Sequence, residues 1–165
     1  MSAPGSERRL IRRSANAGLL AAMLLGAVVG CDSGRLLAPS SQTITDLTAA
    51  QSLWTAQAIS RYEFTLLRSC FCADVQPMHV TVHDGVVVSV TPEGSGIAIA
   101  EVQWSSYPSI ERLFAITAEA IARPAASVNA QYDSVLGYPH TIYIDQVSGI
   151  ADDEFGYTVT NVRVR

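Results

Sequence analysis

The chain has 165 residues, room for one compact domain and a short extra segment but too few for two full domains. Apolar residues make up 48 % of it and charged residues 16 %, which excludes an intrinsically disordered chain. The formal charge of −4, with 11 arginines as the only basic residues besides histidine, argues against a nucleic-acid partner held through its phosphates, and three cysteines are too few to staple a miniprotein.

The N-terminus reads as an address. Arg8, Arg9, Arg12 and Arg13 form a basic region, and Ala15 to Val29 follows without a charge. That apolar run is short for a membrane-spanning helix, which needs about 20 residues, and has the length and flanks of a signal peptide. It ends at Val28-Val29-Gly30-Cys31. A branched apolar residue, a small or branched one, Gly and then Cys resembles the lipobox of bacterial lipoproteins. The resemblance implies cleavage after Gly30, lipidation of Cys31, and residues 1–30 as a signal peptide. Two acyl chains on Cys31 would anchor the protein stably at a membrane surface where one would be marginal. The bland alternatives are a plain secretory peptide or an uncleaved anchor, with Cys31 there by chance. Cleavage would remove four of the 11 arginines and one of the 15 acids, leaving a formal charge of −7. Residues 31–42, with Gly, Pro and Ser among them, read as the lipidated cysteine and a flexible tether, and 43–165 as one globular domain.

Within that domain the spacing of Leu47, Ala50, Trp54 and Ala58 predicts a helix over Thr45 to Ser60, capped by Thr45. Alternation then predicts a strand through Tyr62, Phe64 and Leu66, running into Cys70-Phe71-Cys72. Met78 to Val90 reads as a hairpin around Asp84-Gly85. A two-residue turn would put Ser89 opposite Val80. A three-residue loop instead pairs Val82 with Val86, Val80 with Val88 and Met78 with Val90, keeping one apolar row, and is preferred. His79 and Thr81 then fall on the wetter face. Ile97 to Trp104 reads as a fourth strand or an extended approach to the next helix. That helix opens at Tyr107-Pro108-Ser109, buries Ile110, Leu113, Phe114, Thr117, Ala120 and Ile121, and ends at Arg123-Pro124. Three strands follow, around Val128 to Tyr132, Ile142 to Asp145 and Tyr157 to Val164. The expected fold class is α+β, an antiparallel sheet with two helices packed on one face.

Several segments together carry a resemblance: Ser69-Cys70-Phe71-Cys72, the Val-rich hairpin, Ile110-Glu111-Arg112-Leu113-Phe114, Tyr132-Asp133, Leu136-Gly137-Tyr138-Pro139, Ile142-Tyr143-Ile144-Asp145 and Asp152-Asp153-Glu154. As a set they resemble an uncharacterised family of small secreted or lipid-anchored bacterial domains, a domain of unknown function, over about Trp54 to Val164. The resemblance implies a fold and a location but no activity.

Three clusters have chemical possibilities. Cys70 and Cys72 are the body's only cysteine pair, and on a strand their Cα atoms would lie about 6.6 Å apart, near the upper limit for a disulfide. A bulge or turn would shorten that distance. The pair reads as a local disulfide, and its small loop also makes a redox role conceivable. By ligand type, Cys70 and Cys72 with Met78 and His79 would suit Cu(I) or Zn(II). His79 and His83, four apart on a strand, would sit about 13 Å from each other and could not share an ion. Asp145, Asp152, Asp153 and Glu154 bracket a loop and could hold Ca²⁺, although a solvated acidic turn is the plainer reading.

No Gly-x-Ser-x-Gly elbow, phosphate loop, dinucleotide fingerprint or His-Glu-x-x-His occurs, and no catalytic residue is assigned. The resulting expectation is a cell-envelope lipoprotein acting as a non-catalytic binding module, without a cofactor. Its partners would be a membrane through the lipid and an envelope protein or ligand, with the face bearing His79 and Thr81 available for docking. The alternative is an extracytoplasmic thiol-redox or soft-metal-handling protein using Cys70 and Cys72.

Overall fold

A computed structural model describes residues 41–73, 75–123 and 125–165. The expected signal peptide, Cys31 and the tether through residue 40 lie outside the described residues. No helix among the described residues is long and apolar enough to cross a membrane.

The elements are α1 (Ser41–Ala56), β1 (Arg61–Cys70), β2 (Met78–His83), β3 (Val86–Pro92), a 3-10 segment (Glu101–Ser106), α2 (Ile110–Ala122), β4 (Ser127–Tyr132), β5 (Pro139–Asp145) and β6 (Phe155–Val164). All six strands join one sheet in the order β3-β2-β1-β6-β5-β4, and every pairing is antiparallel. The first and last strands therefore meet at its centre.

This corrects the expected α+β layering. The domain is carried by the six-stranded sheet, and its helical part is limited to short segments. The period-two runs of residues 61–70, 78–92 and 127–164 outlast the helical-period runs. Where a strand over Ile97 to Trp104 was one expectation, the chain approaches in an irregular stretch and enters the 3-10 turn. The Trp104 indole N–H donates to the Ile99 carbonyl (3.1 Å) and pins that turn. α1 starts at Ser41, so Thr45 lies inside the helix rather than at its cap, and the expected tether loses its last two residues to α1. Ser109 caps α2, accepting from the Arg112 N–H, and Pro108 precedes the cap. Arg123 closes α2; Pro124 lies outside the described residues.

Two bulges set which residues face which side. In the β2–β3 hairpin the turn is the two-residue Asp84-Gly85, both at positive φ, rather than the preferred three-residue loop. Val82 pairs with Val87 and the register then shifts, so Val80 pairs with Val90 and Ser89 lies opposite Thr81. The extra residue that restores the apolar row sits in the strand, not in the turn. In β6, Glu63 pairs with Arg163 but Thr65 pairs with Thr160, with Asn161 at φ 54° inside the shift. Phe155, Tyr157 and Val159 face the core before the bulge; after it Arg163 and Arg165, of the same odd parity, face away.

The core lies between one sheet face and the helices. Tyr62, Phe64 and Leu66 of β1, Val80 and Val82 of β2, and Ile142 and Ile144 of β5 meet Leu47 and Trp54 of α1 and Ile110, Leu113 and Phe114 of α2. Tyr62 is the polar member of this set. Its hydroxyl accepts from the Ile110 N–H (3.0 Å), a first-turn donor that the helix itself leaves unpaired, and donates to Glu111 Oε2 (2.6 Å). The Trp54 indole N–H donates to the other oxygen of Glu111 (3.0 Å), and the Trp54 and Tyr62 rings meet edge to face. Burial, helped by the Glu111 carboxylate, pushes the Tyr62 hydroxyl far above the ordinary tyrosine value, and burial pushes Tyr132 up to about 12.

The β4–β5 connection is held by Asp133, whose Oδ1 accepts from the Val135 and Leu136 N–H groups (2.9 and 2.7 Å). Gly137 then passes against α1 at φ 85°; a Cβ there would fall on the Ala50 carbonyl oxygen.

Two predictions follow from this packing. Gly137→Ala combines left-handed strain with a backbone clash and is expected to cost about 2–4 kcal/mol in urea unfolding, whereas a loss below 0.5 kcal/mol would show that α1 gives way freely. For Tyr62 and Tyr132 the folded state keeps a proton that the unfolded chain releases near pH 10, so their contribution is complete below that pH and is lost as pH rises toward the folded values. Tyr62→Phe should cost about 1–3 kcal/mol at pH 7 by removing the acceptor of a buried N–H, and should flatten the alkaline fall in stability. An unchanged alkaline profile would mean that Tyr62 is not the group being titrated.

Candidate functional site

The face of the sheet away from the helices carries the odd-numbered row of β1: Glu63, Thr65, Leu67 and Ser69. Among the described residues no helix covers it. At its centre Glu63 is a carboxylate with 5 % exposure, a costly placement unless its charge is answered. The Arg165 guanidinium donates from Nε (3.0 Å) and Nη2 (2.6 Å) to Glu63 Oε2. Arg163 Nη1 lies 3.8 Å from Oε1, and His79 Nε2 3.6 Å from Oε2. Beside it, the Asn161 amide donates to the hydroxyl of the buried Thr65 (3.3 Å). Thr65, His79 and Thr91 line a cleft of about 420 Å³ with the loop at Glu93 and Gly94.

The electrostatics are asymmetric. Two arginines converge on one glutamate, and their side chains remain 65 % and 75 % exposed. Glu63 fixes where they stand, while their outer donors face solvent. On a chain of formal charge −4 this is a local excess of positive charge. His79 and Thr81 were expected on this face. The alternation of β1 also puts Glu63 on the face opposite Tyr62; Arg163 and Arg165 were not expected there, and their only trace in the sequence is Arg-Val-Arg at the end of a strand, which reads as core-facing unless the bulge is known.

The other expected clusters fare differently. Cys70 and Cys72 lie within disulfide distance, with Cα atoms 5.3 Å apart, because the Cys72 N–H turns back to the Cys70 carbonyl (2.8 Å). Met78 and His79 do not join them: Met78 is buried in the core and His79 points to the opposite face beside Glu63. Asp145, Asp153 and Glu154 do come together, with ligand atoms within 4.8 Å of one another. One oxygen each of Asp145 and Asp153 is buried without a partner, while the other oxygen of Asp153 accepts from the Val147 N–H. These three are residues that could hold a hard cation, offering three side chains where Ca²⁺ takes about six to eight oxygens. Asp152 is outside the cluster, at positive φ. Burial and these three carboxylates raise the nearby Tyr143 hydroxyl above its usual value.

A further cleft of about 400 Å³ lies between α2 and β5–β6, floored by Ile116, Ile144, Phe155 and Tyr157. The charged residues Arg112 and Glu119 at its edge pair with each other (2.7 Å). That bond holds the Glu119 carboxyl below its usual range.

The segments that carried the family resemblance occupy distinct places: the cysteine pair at the end of β1, the Tyr-Asp…Leu-Gly-Tyr-Pro segment in the β4–β5 turn, Glu111 under Tyr62 and Trp54, and the last two segments in the acidic cluster. No curated protein matches the chain. Residues 46–164, most of the chain and nearly all of the described body, match a family described as a family of unknown function (DUF6174), and the protein belongs to that family.

Proposed function

We propose that this protein is an extracytoplasmic lipoprotein of the bacterial cell envelope, anchored to the membrane through Cys31, whose body is a binding module. The binding reading is carried by one observation: the exposed face of the sheet presents Arg163 and Arg165, both aimed by the buried Glu63, in the middle of an acidic domain. Here the glutamate is buried and the arginines reach solvent. The partner is an envelope protein that offers carboxylates to this face. The address rests on the order of basic region, apolar run and Val-Val-Gly-Cys at the N-terminus.

Each half has its own test. Cys31→Ala should abolish fatty-acid labelling and leave the signal peptide uncleaved in a bacterial host. If the variant still takes up label and matures, the anchor is elsewhere. For the docking face, a photo-crosslinking side chain at Thr91 should trap a discrete envelope protein in living cells. The same group at Gln51 on α1 should not, and Arg163→Glu with Arg165→Glu should abolish the Thr91 adduct. An adduct that survives the charge reversal, or that forms equally from Gln51, would contradict docking through this face.

A further inference from the structure

We propose that Cys70 and Cys72 are a thiol–disulfide exchange site, poised by Arg68, that accepts two electrons from an extracytoplasmic dithiol. The step goes beyond the binding reading and does not rest on it.

Arg68 carries the inference. Its Nη2 lies 3.6 Å from Cys70 Sγ and 3.5 Å from Cys72 Sγ, so one guanidinium edge faces both sulfurs. The group is held in place over the Tyr107 ring, 5.4 Å from its centroid. None of the ion pairs among the described residues engages Arg68, so no described carboxylate is bonded to it. A cation at that distance does little for a neutral disulfide and much for a thiolate. It therefore favours the reduced pair and lowers the barrier to releasing either sulfur as a leaving group. Among the described residues, Asp152 and Glu154 set opposing charges beside Cys70, where with Tyr143 they line a cleft of about 340 Å³.

Spacing and access agree. One residue separates the cysteines, so the loop they close is small and gives the oxidised form little entropic advantage. Cys72 is exposed, and Phe71 between the two is 82 % exposed, an apolar contact for an approaching chain. Cys70 is half-buried at the end of β1.

These placements define the direction of the step. A thiolate of the donor attacks the accessible Cys72 sulfur, a new sulfur–sulfur bond forms, and the Cys70–Cys72 bond breaks with its electron pair leaving on Cys70, against Arg68. The donor's second thiolate then attacks the donor sulfur of this mixed disulfide and releases Cys72 as a thiolate. The donor ends as a disulfide and the pair as two thiolates, with two electrons transferred. The donor's two protons pass to water or to the released sulfurs.

The test uses the full-length protein in detergent with Cys31→Ala, so that only Cys70 and Cys72 report. The protein is equilibrated in mixtures of reduced and oxidised glutathione, quenched in acid, alkylated and weighed; separately, the thiolate of the reduced protein is titrated by its ultraviolet absorbance. The pair should be reduced within the glutathione range, and its first thiolate should form below the free-cysteine value of about 8.5. Arg68→Gln should raise that titration by about one pH unit and make the pair about tenfold harder to reduce at fixed pH, and Arg68→Lys should restore most of both. A residue with only a structural role would move neither reading once the variant is shown by circular dichroism to be folded. Identical titrations and glutathione equilibria in the parent and a folded Arg68→Gln would overturn the proposal. So would a parent pair that stays oxidised throughout, or one whose thiolate forms at or above the free value, results that stand even if Arg68→Gln does not fold.

Discussion

The Tyr62 hydroxyl is the point through which the domain is assembled. It sits on the central strand β1, wholly buried, and reaches the first turn of α2 through the Ile110 N–H and Glu111. Glu111 in turn receives Trp54 from α1. Three elements far apart in sequence thus share one oxygen and one carboxylate. A buried hydroxyl must be paired or it costs several times what a typical hydrogen bond contributes, so the position of α2 along the sheet is fixed by a polar requirement as well as by apolar packing. Once both helices are committed to that side, the other face of β1 has no helical partner among the described residues, and Glu63, next to Tyr62 in the strand, is satisfied by the sheet itself.

How it is satisfied explains the character of the exposed face. The bulge at Asn161 turns the end of β6 over, so that Arg163 and Arg165 emerge beside Glu63 instead of entering the core. Regular alternation would have left a buried carboxylate unpaired and driven two guanidinium groups toward Val159. One extra residue removes both penalties. It also leaves two partly solvated cations on an acidic domain, and that surplus is the basis for reading the face as a docking surface. β3 uses the same device for the opposite purpose, restoring Val90 to the core opposite Val80.

The sequence made the elements legible but not their phase. Alternation located β1 from Tyr62, Phe64 and Leu66, and helical spacing with Ser109 located α2, because each of these signals is local and uninterrupted. Asp133 and Gly137 stood out in the sequence only as parts of the family resemblance, and that Gly137 must lie against α1 is visible only in three dimensions. Register was lost wherever a bulge intervened. A period-two reading carries its parity forward, so one inserted residue hides Arg163 and Arg165 and misplaces the hairpin turn. The balance of architecture is a separate matter: two clear helical stripes suggest a helical layer of equal weight to the sheet, whereas the helices are short and the alternating runs, two of them ten residues long, join in one six-stranded sheet that carries the domain. The metal grouping failed because Met78 and His79, adjacent in sequence, stand on opposite faces of one strand. The acidic grouping was legible because Asp145 and Asp153-Glu154 bracket the loop between neighbouring strands. Arg68 beside the cysteine pair was within reach of the same parity argument, being two residues before Cys70 on one strand.

Hydrogen–deuterium exchange of individual amides, read by NMR on the full-length protein, tests the central claim most directly. The Ile110 N–H is the first amide of a helix, a position that ordinarily exchanges by fraying; bonded to Tyr62, it should instead exchange with the slowest β1 amides, only when the whole domain unfolds. An Ile110 amide that exchanges orders of magnitude faster than those of Phe64 and Leu66 would contradict the account, because α2 would then be held by apolar packing alone.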